Sequence, residues 1–85
     1  MEISSSEISE RVKKILTKVL KVPAEEMTPD SLIMADLGAD SVEIWDIAVG
    51  IEKEFKIKLQ QNNIENIKTI KNILELVDLL LSKKA

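Results

Sequence analysis

Cysteine, histidine and tyrosine are all missing from this chain of 85 residues. Without Cys there is no disulfide framework, no thiolate metal site and no cysteine nucleophile. Without His the chain lacks the commonest general base, the commonest metal ligand and any Ser–His arrangement. Trp45 and Phe55 are the only aromatic residues, so a core has to be built from Ile, Leu and Val. Ser, Thr, Lys and carboxylates remain for chemistry, a poor kit for self-contained catalysis. The chain is therefore expected not to be an enzyme, and no metal site is expected in it.

Long apolar runs are missing too, and none approaches the roughly 18 residues that a membrane helix requires. A net charge of −3 argues against nucleic acid as a partner. Met1-Glu2-Ile3-Ser4 is polar and acidic where a secretory signal would be basic and then apolar, so the expected location is cytoplasmic. Hydrophobic residues make up 45 % and charged residues 32 %, an ordinary globular composition. Residues 1–85 read as a single small domain without membrane insertion, expected to be a monomer.

Four helical segments follow from the periodicity. Ser4 and Glu7 form a capping-box pair, with Ile3 and Ile8 placed for a hydrophobic staple. Ile8, Val12, Ile15, Leu16, Val19 and Leu20 then mark one stripe of an amphipathic helix, which should stop near Val22 because Pro23 disfavours helical geometry before it. Residues 23–40 read as a long loop, uncommon in a small domain and often functional, anchored by Leu32, Ile33, Met34 and Leu37. A second helix should span about Ser41 to Phe55 with Ile44, Ile47, Ala48, Ile51 and Phe55 facing the core. Val42, Trp45 and Val49 fall on its other side as a second apolar patch. Gly50 inside that helix costs roughly 1 kcal/mol relative to Ala and has no evident reason in the sequence. Asn62 to Asn66 suit a single turn around Ile64. Thr69 suits the N-cap of a last helix burying Ile70, Ile73, Leu74, Val77, Leu80 and Leu81, with Lys83 and Lys84 at the negative end of its dipole. The expected fold is all-α: a small antiparallel bundle of three main helices and one short helix, with a long loop between the first two.

Charge is unevenly spread. Residues 36–54 carry −5, against −1 for residues 1–35 and +3 for residues 55–85. The second helix and the loop entering it therefore form a concentrated negative surface that steers basic partners. Asp40 and Glu43 also fit an N-cap and N3 pair. Ser41 lies in the first turn, where backbone N–H groups lack intrahelical partners and favour a phosphodiester. Nothing in the sequence would activate its hydroxyl as a nucleophile.

The run Asp36-Leu37-Gly38-Ala39-Asp40-Ser41, followed by apolar Val42 and acidic Glu43, closely resembles the attachment motif of acyl carrier proteins. The resemblance extends along the chain, through the acidic second helix ending in Glu-x-Glu-Phe to the short third and apolar fourth helices. It implies that Ser41 receives 4′-phosphopantetheine from coenzyme A by the action of a phosphopantetheinyl transferase. The thiol of that arm would hold acyl groups as thioesters in fatty-acid or related lipid or polyketide synthesis. By the same resemblance Val42, Trp45 and Val49 contact partner enzymes, while Asp36, Asp40, Glu43 and Asp46 dock the basic patches of acyl-processing enzymes. It also implies an acyl-chain cleft lined by Ile47, Ile51, Phe55, Leu59, Ile64 and Ile67. Three features depart from the family pattern: Trp45 in place of a smaller aliphatic residue, Lys56 and Lys58 after the second helix, and Gln60 to Asn63 in place of an acidic start to the third. They bear on the identity of the partners rather than on the carrier role.

Plainer readings stand beside these. An acidic helix face is most often a solvated face, and the cleft residues are core residues before anything else. A different function class is an unmodified interaction module that docks basic partners through the acidic face and Trp45. A calcium-binding loop is excluded by spacing, since Asp36, Gly38 and Asp40 do not follow the alternating ligand order of an EF-hand.

Overall fold

The computed structural model describes residues 4–84 and is an all-α four-helix bundle. Helix α1 (Ser5–Leu20) begins where Ser4 Oγ accepts the backbone N–H of Glu7 at 3.2 Å. The Glu7 carboxylate meets Arg11 at 2.9 Å one turn on. Ile8, Val12 and Leu16 are buried, and Ile15, Val19 and Leu20 pack half-buried around them. The staple residue Ile3 and the side chain of Lys84 lie outside the described residues.

Helix α1 stops at Leu20, two residues before the expected end. Pro23 sets only the outer limit. The chain leaves the helix earlier through Lys21, which adopts left-handed geometry (φ 59°) and donates its N–H to the Thr17 carbonyl at 2.8 Å.

The loop that follows contains a short 3₁₀ turn, Ala24–Glu26, and is tied to the rest of the bundle by backbone hydrogen bonds. Ile33 donates to the carbonyl of Lys68 at 2.9 Å, Ile70 to that of Ser31 at 3.3 Å and Lys71 to that of Pro29 at 2.9 Å. Leu32 and Thr69 face each other in an isolated antiparallel bridge. Extended backbone at the bridge sends neighbouring side chains to opposite sides, so Ser31 and Ile33 are buried while Leu32 points outward, 43 % exposed, and Met34, in the turn that follows, is 55 % exposed. Of the four expected anchors only Ile33 and Leu37 are anchors, and Met27 and Ala39 serve in place of the other two.

Helix α2 (Ser41–Phe55) has the expected bounds and the expected core face, with Ile44, Ile47, Ala48, Ile51 and Phe55 buried. Two contacts set its direction against α1. Ile15 lies against Gly50 and Arg11 meets Glu54 at 3.4 Å, so numbering rises along one helix as it falls along the other. Gly50 has its reason here, because a Cβ at that position would stand 3.0 Å from Ile15 Cγ2. Antiparallel packing also puts the C-terminal end of α1 at the end of the bundle where α2 begins.

After α2, Lys56 turns the chain in left-handed geometry (φ 55°). The Glu52 carboxylate then accepts the N–H of Leu59 at 2.7 Å and fixes the connection. Helix α3 (Gln61–Glu65) forms one residue earlier than expected, because Asn63 Oδ1 accepts the N–H of Gln60 at 3.0 Å. Helix α4 (Ile70–Lys84) opens at Thr69 as expected: Thr69 Oγ1 accepts the N–H of Asn72 at 3.2 Å, and Asn72 Oδ1 accepts those of Lys68 and Thr69, both at 3.0 Å. Ile70, Ile73 and Val77 are fully buried. Leu74, Leu80 and Leu81 are only half-buried, since α4 packs chiefly on α1 and its apolar stripe is wider than that contact. Among the described residues, no helix is long and apolar enough to cross a membrane.

Candidate functional site

The motif singled out in the sequence forms the junction between the loop and α2, and nearly every residue of it has a structural task. Asp36 closes a turn on itself, its Oδ2 accepting the N–H of Leu32 and its own N–H reaching the Leu32 carbonyl, both at 2.8 Å. Leu37 and Ala39 plug the core on either side of Gly38. Gly38 lies at φ 78°, in the left-handed region, while an added Cβ there would meet nothing within 4 Å. Backbone conformation, not space, asks for glycine at that position.

Asp40 and Glu43 form a complete capping box. Asp40 Oδ1 accepts the N–H of Glu43 at 2.8 Å, and Glu43 Oε1 accepts the N–H of Asp40 at 3.1 Å. The box satisfies two of the four first-turn donors and leaves those of Ser41 and Val42 without an intrahelical acceptor. Ser41 is the first residue of α2 and is exposed. Among the described residues, its side chain takes part in none of the fold's hydrogen bonds.

The positions expected to meet partners divide into two sets. Asp36, Asp40 and Glu43 are already held in local hydrogen bonds, each through one carboxylate oxygen. Val42, Trp45, Asp46 and Val49 lie exposed on the outer side of α2, with Trp45 at 48 % the largest apolar group among them. Met34 is a further exposed apolar side chain in the loop before the motif. Periodicity cannot find it, because it lies in the turn over residues 33–37, closed by the N–H groups of Asp36 and Leu37 on the Leu32 carbonyl.

Ile47, Ile51, Phe55, Leu59, Ile64 and Ile67 are all brought together in one buried cluster. The first three come from α2 and the others from α3 and its flanking turns, so they form the layer between these elements. The Glu52 clasp on Leu59, which no sequence signal marked, holds one edge of that layer.

A family model described as a phosphopantetheine attachment site matches residues 10–77. The chain belongs to the acyl carrier protein family. The acyl carrier protein of Petrotoga mobilis is 35 % identical over 75 residues, which cover 88 % of each chain. That of Saccharopolyspora erythraea is 33 % identical over 70 residues, 82 % of this chain and 74 % of the relative. This acyl carrier protein family member is thus a carrier rather than an enzyme, and its prosthetic group is covalent 4′-phosphopantetheine. The junction suits such a group: an exposed hydroxyl stands at a helix start beside two free backbone donors, which favour a phosphodiester anion. Bound there, the group supplies the thiol that the cysteine-free chain lacks.

Proposed function

We propose that this protein carries acyl intermediates as thioesters on 4′-phosphopantetheine joined to Ser41, in fatty-acid or related lipid or polyketide biosynthesis. The observation that carries the reading is Ser41 itself: exposed, first in α2, and with a side chain that makes no structural hydrogen bond among the described residues, while the side chains of Asp36, Asp40 and Glu43 are all engaged. The relatives' shared name, acyl carrier protein, supports it. The chain has no His, and Asp40 and Glu43 are engaged in the cap, so a phosphopantetheinyl transferase brings the base; the Ser41 oxygen takes 4′-phosphopantetheine from coenzyme A and adenosine 3′,5′-bisphosphate leaves. Acyl-processing enzymes with basic patches then dock on the outer face of α2. Val42, Trp45 and Val49 form the apolar centre there, and Asp36, Asp40, Glu43 and Asp46 the charged rim. The buried layer of Ile47, Ile51, Phe55, Leu59, Ile64 and Ile67 takes up the acyl chain by parting α2 from α3. The working compartment is the cytoplasm, and the carrier acts as a monomer.

Intact-mass spectrometry after incubation with coenzyme A and a broad-specificity transferase tests the proposal, with Ser41→Ala as control. Gain of one phosphopantetheine by the wild type alone is expected. No gain with several transferases and an intact fold would turn the reading to an unmodified docking module.

A further inference from the structure

We infer that Trp45 is a resting platform for the protein's own phosphopantetheine arm, so that the arm without acyl cargo lies along the outer stripe of α2 when no partner is docked. The inference rests on the proposal that Ser41 bears the arm. Three observations carry it.

The first is register. Trp45 follows Ser41 by four residues, so the two stand on one face of α2 about 6 Å apart along the axis. Helical aromatic side chains lean toward the N-terminus of their helix, over the preceding turn. An indole following that rule leans toward Ser41, within reach of a long flexible arm.

The second is charge. At about 100° per residue, Trp45 is rotated about 40° from Ser41 around α2, and Val49 about 80°. Asp46 stands about 140° from Ser41, about 100° beyond Trp45 in the same sense, and the Glu43 carboxylate is folded back on the Asp40 N–H at the helix start. Glu52 falls on the same stripe three turns down, but its carboxylate is turned to the N–H of Leu59 at 2.7 Å. The stripe between Ser41 and the indole thus presents no free carboxylate that would hold an anionic phosphodiester away from the ring.

The third is exposure. Trp45 is half-buried, 48 % exposed, on a stripe bordered by the buried Ala48 on one side and the exposed Val49 on the other. The open part of such a ring can be covered by the methyl and methylene groups of a pantetheine arm. A small aliphatic side chain at position 45 would offer no such surface. Docked partners need the same ring, so arm release and partner docking are coupled by competition for it.

Trp45 is the only Trp and the chain has no Tyr, so emission reports on this ring alone. Protein loaded with phosphopantetheine and verified by intact mass is compared with the unmodified form by acrylamide quenching. The quenching constant should fall at least about twofold on loading, as the part of the ring open to solvent is covered. Nuclear Overhauser cross-peaks should join the indole protons to the paired methyl groups of the arm, and free coenzyme A added to unmodified protein should produce neither effect. In Trp45→Leu, the same arm resonances should narrow toward those of free coenzyme A. An unchanged constant in mass-verified loaded protein overturns the platform while leaving Ser41 as the attachment site. A fall in quenching without cross-peaks overturns it too, since the helix would have shifted without the ring being covered. Absence of the mass gain itself removes the proposal on which the platform stands.

Discussion

Replacing Gly50 by Ala tests how closely α1 and α2 approach. An ideal Cβ at Gly50 would lie 3.0 Å from Ile15 Cγ2, well inside the 3.5–4.0 Å at which carbon atoms attract best. Two effects oppose each other. Ala in a helix interior is favoured over Gly by about 1 kcal/mol. An extra methyl in a filled contact costs typically about 1–3 kcal/mol. The second wins here, because Ile15 is β-branched and Cγ2 cannot swing aside without leaving its one good χ1 rotamer. Gly50→Ala should therefore destabilise the protein by up to about 2 kcal/mol.

The sign should reverse once the obstacle is gone. In an Ile15→Ala background, Gly50→Ala should stabilise by about 1 kcal/mol, the bare helix preference. The coupling between the two changes is then about 1–3 kcal/mol, which urea unfolding of the four proteins measures directly. The loss from truncating Ile15 cancels in the cycle. If Gly50→Ala stabilises the wild type as much as it stabilises the Ile15→Ala protein, the helices are not in contact at this point. The explanation of Gly50 then fails.

Three further outcomes are expected. Gly38→Ala should cost about 1–2 kcal/mol from left-handed backbone alone, and Gly38→Asn less, because Asn tolerates that region; equal urea midpoints for all three proteins would refute the assignment. Asp40→Ala should cost about 1 kcal/mol through loss of the cap, while Asp40→Asn stays within a few tenths, measured the same way. Since Ser41 sits in the turn that the cap closes, transferase loading of Asp40→Ala should slow by more than its unfolded fraction explains. Trp45→Ala should lower stability by less than about 1 kcal/mol, because the ring is half exposed and Ala favours the helix. Partner turnover should weaken clearly, and a loss of stability near that of a core aromatic would show Trp45 to be structural.

What could be read from the sequence was local. The bounds of α2 follow from a cap pair three residues apart and a stripe of apolar residues, all within one segment. The buried sides of α1 and α2 follow from periodicity in the same way. Leu32 was misplaced because its direction depends on pairing of residues 29–33 with residues 68–71, partners nearly forty positions away, and Met34 because it stands in the turn that follows that pairing. The end of α1 was misplaced because its left-handed cap is Lys21 rather than the Gly that would have announced it. On α4 the stripe is real, but its depth of burial depends on how many neighbours cover it. Gly50 made no sense in isolation for the same reason: its explanation, Ile15, stands on another helix.

The candidate site was legible as a short string because the string is mostly scaffold. Asp36 clips its turn, Gly38 supplies a conformation that other residues resist, and Asp40 with Glu43 closes the first turn of α2. Each of these tasks is local, so each constrains residue type at a fixed spacing. Ser41 alone among the polar residues of the motif contributes no side-chain hydrogen bond to the fold among the described residues. A hydroxyl with no structural work, held on a turn that its neighbours fix from both sides, is well placed for chemistry done to the protein rather than by it. The same division separates two questions that one substitution would otherwise mix. Changes at Asp36, Gly38 or Asp40 act on the shape of the junction and move stability. A change at Ser41 acts on what the junction presents and leaves stability in place.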